Sequence, residues 1–133
     1  MIAGIDHVSL PMRDTDAMVA FYRAVGFDVE ELDPVVRVHT GRQMINFHRP
    51  EVWGREGFTL RAPAAVPPCG DLCFVWHDTV DALEATLAQA RVDVEEGPVD
   101  RIGGRRQHGS SVYVRDPDGN LLEFIVYPVD EVS

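Results

Sequence analysis

The tetrapeptide Asp28-Val29-Glu30-Glu31 recurs as Asp93-Val94-Glu95-Glu96, and that recurrence decides how the rest of the chain is read. Setting His7 against Asp71 places Asp14-Thr15 on Asp78-Thr79, with a helical pattern after each pair. One register later the two D-V-E-E segments coincide. Near the end of each copy, Ile45-Asn46-Phe47 resembles Leu122-Glu123-Phe124. Each match is weak alone. In the same order along both halves they argue for two copies of one supersecondary unit.

The periodicity supports that division. Residues 4–11 read as a strand. Residues 15–25 read as a helix, with Met18, Phe21, Tyr22 and Val25 on one face, Asp14 or Thr15 as cap and Gly26 as stop. Strands near 27–32, 35–40 and 43–48 follow. The second copy gives a strand at 71–77, a helix at 79–90, and strands near 92–95, 111–115 and 120–127, the last two joined by the turn Asp116-Pro117-Asp118-Gly119. The order is βαβββ twice, an α+β chain with a first module at 4–48, a linker at 49–69 and a second module at 70–127, all in one domain over 1–133. The linker holds Pro50, Pro63, Pro67 and Pro68. It and a Gly/Arg-rich loop at 97–110 are long enough for lids, although a solvated crossover explains each equally well.

Side chains alternate across a strand. Val8 and Leu10, Ile45 and Phe47, Leu72 and Phe74, and Leu122 and Phe124 each give their strand an apolar face suited to packing under a helix. The opposite faces carry His7, Asn46 with His48, Asp71 with Cys73, and Glu123. Polar groups at such places are costly unless paired or bound. His7 is a metal ligand or a hydrogen-bonded core histidine. Asp71 is a ligand or a solvated carboxylate. His48 is a ligand, a pocket base or a solvated strand end. Glu123, between Leu122 and Phe124, needs a partner. Cys73 reads as a buried small hydrophobe, and Cys69 as a linker residue. His39, His77 and His108 read as surface residues, and Arg101, Arg105 and Arg106 as a solvated loop or anchors for an anion.

Composition narrows the classes. The 133 residues are 45% hydrophobic and 26% charged, the profile of one globular domain. No apolar run approaches the roughly 20 residues of a membrane span, and the start MIAGIDHVSL has no signal-peptide pattern, so a cytoplasmic protein without a membrane partner is expected. The net charge of −10 argues against nucleic acid as a partner. All twelve basic residues are arginine, which excludes lysine Schiff-base chemistry.

I-D-H-V at 5–8, F-Y-R-A-V-G-F at 21–27 and R-D-P-D-G-N-L-L-E-F at 115–124 resemble the vicinal-oxygen-chelate superfamily, which includes glyoxalase I, fosfomycin-resistance enzymes, bleomycin-binding proteins and extradiol dioxygenases. Gln43–His48, Asp71–Phe74, Glu95–Val99 and Ser111–Tyr113 resemble its small glyoxalase domain-containing protein 5 group and related bacterial virulence proteins. The resemblance implies two βαβββ modules forming a cup-shaped mixed sheet, a small-molecule substrate and a homodimer that completes its cups across subunits. It implies a divalent metal (Mn, Fe, Ni or Zn) at the positions of His7, Asn46, Asp71 and Glu123, with His7, Asp71 and Glu123 as ligands. Glu123 or His48 would be the proton shuttle, in a pocket with Asn46, His48, Cys73, Tyr113 and Arg115. Two positions depart from the pattern. Glyoxalase I-like proteins usually carry a carboxylate where Asn46 stands, and they and fosfomycin-resistance enzymes usually carry His where Asp71 stands. The reading expected first is a glyoxalase-type, lyase-like metal enzyme acting on a small oxygenated or electrophilic metabolite. The alternative is a metal-free protein that sequesters a small molecule. An extradiol-type dioxygenase ranks third.

Overall fold

The computed structural model describes residues 1–129. Its elements run β1 (His7–Pro11), α1 (Thr15–Val25), β2 (Asp28–Glu31), β3 (Val35–Thr40), β4 (Gln43–His48), α2 (Pro50–Trp53), β5 (Asp71–Val75), α3 (Val80–Gln89), β6 (Glu96–Ile102), β7 (His108–Arg115) and β8 (Leu121–Val126). The strands form two four-stranded sheets, ordered β1-β4-β3-β2 and β5-β8-β7-β6. In each, the first strand pairs parallel with the last, and the other pairs are antiparallel. This is the tandem βαβββ architecture expected from the repeat.

The chain divides into two compact units. One comprises residues 1–70 with 116–120, the other residues 71–115 with the segment from Leu121 onward. In the first, Asp14 caps α1 by accepting a hydrogen bond from Ala17 N, and Gly26 ends it in the left-handed conformation at φ 112°, where a side chain would be strained. The helix buries Met18, Val19, Tyr22 and Val25, and the Tyr22 ring lies 5.5 Å from that of Phe47 on β4. Val36, Val38, Ile45 and Phe47 complete this core. Each large apolar side chain buried here contributes roughly 1.5–3 kcal/mol. In the second unit, Leu83 and Leu87 of α3 and Val112, Val114 and Leu122 of the sheet are fully buried, and Phe74 packs against Phe124 at 5.6 Å.

Residues 116–120 are the turn between β7 and β8, yet they are stitched to the first unit. Asp116 accepts hydrogen bonds from the Tyr22 hydroxyl (2.7 Å), from the backbone N–H groups of Gly119 and Asn120, and from Asn120 Nδ2 (2.8 Å). Asp118 accepts from Arg13 N at 2.6 Å and Asp14 N at 2.9 Å, at the start of α1. Asn120 Oδ1 accepts from Gly70 N at 2.8 Å. Burial pushes the Asp116 carboxyl above its ordinary range, partly offset by the bonds from Asn120 and Tyr22. Burial and Asp116 together push the Tyr22 hydroxyl well up.

Two expectations are corrected. Residues 97–110 are not a long loop: most belong to the β6–β7 hairpin, and β6 starts at Glu96 rather than in the 92–95 segment. A register shift between Glu96 and Val99 breaks the strict alternation of β6. Gly97, at φ 109°, lies so close to the Ser111 carbonyl that a Cβ would collide with it. Residues 49–69 hold one short helix, α2, and otherwise turns and bends.

Candidate functional site

Each unit presents a sheet face opposite its core. In the first unit the register pairs Ser9 with Asn46 and Arg37 with Asn46, so His7, Ser9, Arg37, Asn46 and His48 share that face. In the second, Cys73 and Tyr113 both pair with Glu123, so Asp71, Cys73, Ser111, Tyr113, Arg115 and Glu123 share it. Asn46 and Glu123 therefore occupy matching places on β4 and β8, the strand each sheet sets beside the first strand of its module.

The two faces differ in how these groups are held. His7 stands at the start of β1, exposed, with Nδ1 2.7 Å from Asp6 Oδ2. Asn46 Oδ1 and Arg37 Nε are buried atoms that lack a hydrogen-bond partner among the described residues. His48 closes β4 with its ring edge-on to Phe58 at 5.5 Å, and burial lowers its pKa. On the other face, Glu123 is already engaged. The Ser111 hydroxyl donates to its Oε2 at 2.6 Å, and Cys73 hydrogen-bonds to it. Asp71, the first residue of β5, is exposed. The Tyr113 hydroxyl accepts from Arg101 Nε at 3.0 Å, with the guanidinium 5.6 Å from the ring centre. Arg115 is held by both oxygens of Glu95, at 3.1 and 3.3 Å.

Cys73 corrects an expectation. It is exposed rather than buried, because strand parity sets it beside Asp71 and away from Leu72 and Phe74. Its thiol is pushed up to about 12, first by partial desolvation and then by Glu123, so it is a poor nucleophile at neutral pH. Arg101 lies on β6 rather than in a loop. His39 and His108 pair with Glu30 and Asp100 at the surface.

The sequence reading missed the cavity of the first unit. About 510 Å³ opens between the ends of β1 and β4 and the segment after α2, lined by Ser9, Pro11, His48, Trp53, Arg61 and Cys69 among others. The available signal was the presence of Trp53, Phe58 and Leu60 in a stretch otherwise read as a proline-rich linker.

Among the described residues of one chain, no three His, Cys, Asp or Glu side chains gather closely enough to hold a metal ion. Among the described residues no helix is long and apolar enough to cross a membrane.

Two sheets of order 1-4-3-2, each with polar groups at matching places opposite its core, define a paired βαβββ protein. The family model of the Glyoxalase/Bleomycin resistance protein/Dioxygenase superfamily matches residues 4–124, and the chain belongs to that superfamily. It is 33% identical over 129 residues to virulence protein STM3117 of Salmonella typhimurium, covering 96% of this chain and 86% of that protein. The crystal structure of that protein superposes with a TM-score of 0.84, covering 96% of this chain and 99% of the other. The chain is 35% identical over 127 residues to glyoxalase domain-containing protein RDO1 of Mycosarcoma maydis, covering 95% and 69% of the two. The crystal structure of lactoylglutathione lyase from Agrobacterium tumefaciens is similar at 28% identity and a TM-score of 0.69, covering 94% of each chain.

Proposed function

We propose that this chain is a metal-dependent, glyoxalase-type enzyme acting on a small oxygenated or electrophilic molecule. The observation that carries the reading is the match between the two polar faces, with Asn46 and Glu123 in equivalent register positions and His7 and Asp71 at the starts of equivalent strands. One imidazole and two carboxylates, from His7, Asp71 and Glu123, suit Mn, Fe, Ni or Zn. Asn46 Oδ1, an oxygen held from water without a hydrogen bond, adds a further neutral donor, so the residues fit such an ion. The donors come from two copies of the chain in a homodimer, which the family resemblance implies. When bound, the cation supplies Lewis acidity for a developing oxyanion. Ser111 orients Glu123 through the 2.6 Å bond, which leaves Glu123 to take and return a proton at the substrate, with His48 as the second candidate for that step. Tyr113 and Arg115 flank Glu123 and position the substrate.

A second reading, a metal-free protein that binds and sequesters a small molecule, is favoured by one observation. The Glu123 carboxylate already has two partners, Ser111 and Cys73, and Asn46 replaces the carboxylate usual at its position. Metal content separates the two. Tag-free protein, incubated with Mn, Fe(II), Ni and Zn and freed of excess ion, is assayed by elemental mass spectrometry beside the His7→Ala/Glu123→Ala double variant. Near-stoichiometric metal that vanishes in the variant supports the enzyme. Wild-type protein that retains none of the four ions refutes it in favour of the binding protein.

A further inference from the structure

We propose that the cavity beside α2 is a binding site for an uncharged, flat, largely apolar small molecule carrying one hydrogen-bonding group, which points toward Ser9 and His48. The cavity goes beyond the metal-centred reading, because its walls need no ion.

Leu10, Pro11, Trp53, Leu60 and three alanines supply most of the wall, and its volume of about 510 Å³ falls within the range of small-molecule sites. Charged groups are few. Among the described lining residues there is no carboxylate and one guanidinium, that of Arg61. Arg61 Nη1 donates to the carbonyls of Ala65 at 3.0 Å and Trp53 at 3.4 Å, and Nη2 donates to that of Pro63 at 3.1 Å. The guanidinium thus shapes the 61–65 turn against α2, with three of its hydrogen bonds turned to backbone carbonyls rather than to the cavity. The indole of Trp53 is closed off in the same way. Its Nε1 donates to the Met12 carbonyl at 2.8 Å, so its hydrogen points into the protein and its ring presents hydrocarbon to the cavity. An aromatic surface with its polar end satisfied stacks a flat ring well.

What remains polar is confined to the Ser9 hydroxyl, the His48 ring and the Cys69 thiol. Ser9 and His48 lie on the sheet face that also carries His7 and Asn46. A ligand with its body against Trp53 and its one polar group at Ser9 and His48 would therefore hold that group at the edge of the candidate site. An anionic ligand would give up its hydration to meet a single guanidinium already turned to three backbone carbonyls, and a carboxylate should bind at least tenfold more weakly than an uncharged group.

The test uses the full chain treated with EDTA, with 2-naphthol as the uncharged probe and 2-naphthoate as its anionic counterpart, titrated by calorimetry. The expected result is saturable one-to-one binding of 2-naphthol, at least tenfold tighter than 2-naphthoate. Filling the cavity by Ala64→Trp should weaken 2-naphthol at least tenfold with the circular dichroism spectrum unchanged, and Ala62→Phe should do the same from a neighbouring wall position. Equal affinity for the two probes, no binding of 2-naphthol, or binding untouched by both filled variants overturns the proposal. A filled variant that dissociates a dimer, in a protein that binds no 2-naphthol, assigns the cavity to a second copy and also overturns it. Because metal is removed first, a failure of the metal-centred reading leaves this result standing, and the reverse holds too.

Discussion

The two sheets have one topology and opposite ways of holding their polar groups. On the first, Asn46 Oδ1 and Arg37 Nε, on register-paired residues, are buried without a hydrogen-bond partner among the described residues. On the second, the matching position holds Glu123, bonded by Ser111 and flanked by Cys73 and Tyr113. The repeat thus conserves where a side chain is offered and varies whether it is already satisfied. The connections differ in the same spirit. The β3–β4 turn is the short exposed Gly41-Arg42, whereas the β7–β8 turn is a buried acidic clasp that ties α1 and Gly70 into the first unit.

That contrast can be broken most severely at Asp116. Asp116→Ala strands the Tyr22 hydroxyl, the Asn120 side chain and two backbone N–H groups, and should cost ~3 kcal/mol. The loss should appear as a fall of roughly 10 °C in Tm. Arg42→Ala in the other turn should change stability by less than about 0.5 kcal/mol. Equal effects would show that the clasp is no stronger than an ordinary hairpin turn.

The next effect is chemical. With Cys69→Ser as background, Cys73 reports on Glu123. Its thiol is held up to about 12 by partial desolvation and then by the carboxylate, so Glu123→Gln should lower that value and speed alkylation by iodoacetamide several-fold at pH 8. An unchanged rate would mean that the two do not interact.

A smaller effect concerns pH. Burial raises the Asp116 pKa in the folded chain above its ordinary 3.8. The folded state therefore binds this proton more tightly than the unfolded state. The group's stabilising contribution is complete below the unfolded value and is lost as pH rises through the folded one. Asp116→Asn should flatten the fall in stability just above pH 4, read from urea midpoints at successive pH values. A slope identical to wild type would remove Asp116 as its source.

Asn46→Ala should be the mildest, within about 1 kcal/mol of wild type, because it removes an acceptor that has no partner among the described residues. A loss as large as that of Asp116→Ala would place an unseen bond at Asn46.

Much of this was legible in the sequence, for physical reasons specific to each element. The bounds of α1, β3 and β4 follow from clean periodicities ended by turn residues: Gly26, Pro34 and Gly41. The faces of β4 and β5 follow from strict alternation, whereas Pro11 on β1 and Ile125 on β8 are buried out of turn. β6 was hidden because the shift between Glu96 and Val99 breaks the alternation and Gly97-Pro98 reads as a loop. The D-V-E-E match also misled, since Asp28–Glu31 form a strand while Asp93–Glu95 precede one. Asp116-Pro117-Asp118-Gly119 announced a turn, but not its partners Tyr22 and Arg13, because contacts so distant in sequence leave no local pattern. The cavity was illegible for the same reason: Ser9 and His48 meet Trp53 and Arg61 only in the folded unit.

The most direct test mixes two damaged proteins. If His7 of one copy and Glu123 of another share a metal, His7→Ala and Glu123→Ala proteins should each bind none alone. Refolded together, they should regain one intact site per mixed dimer, counted by native mass spectrometry. Metal that stays absent in the mixture, while the wild type binds it, would contradict a site shared between copies.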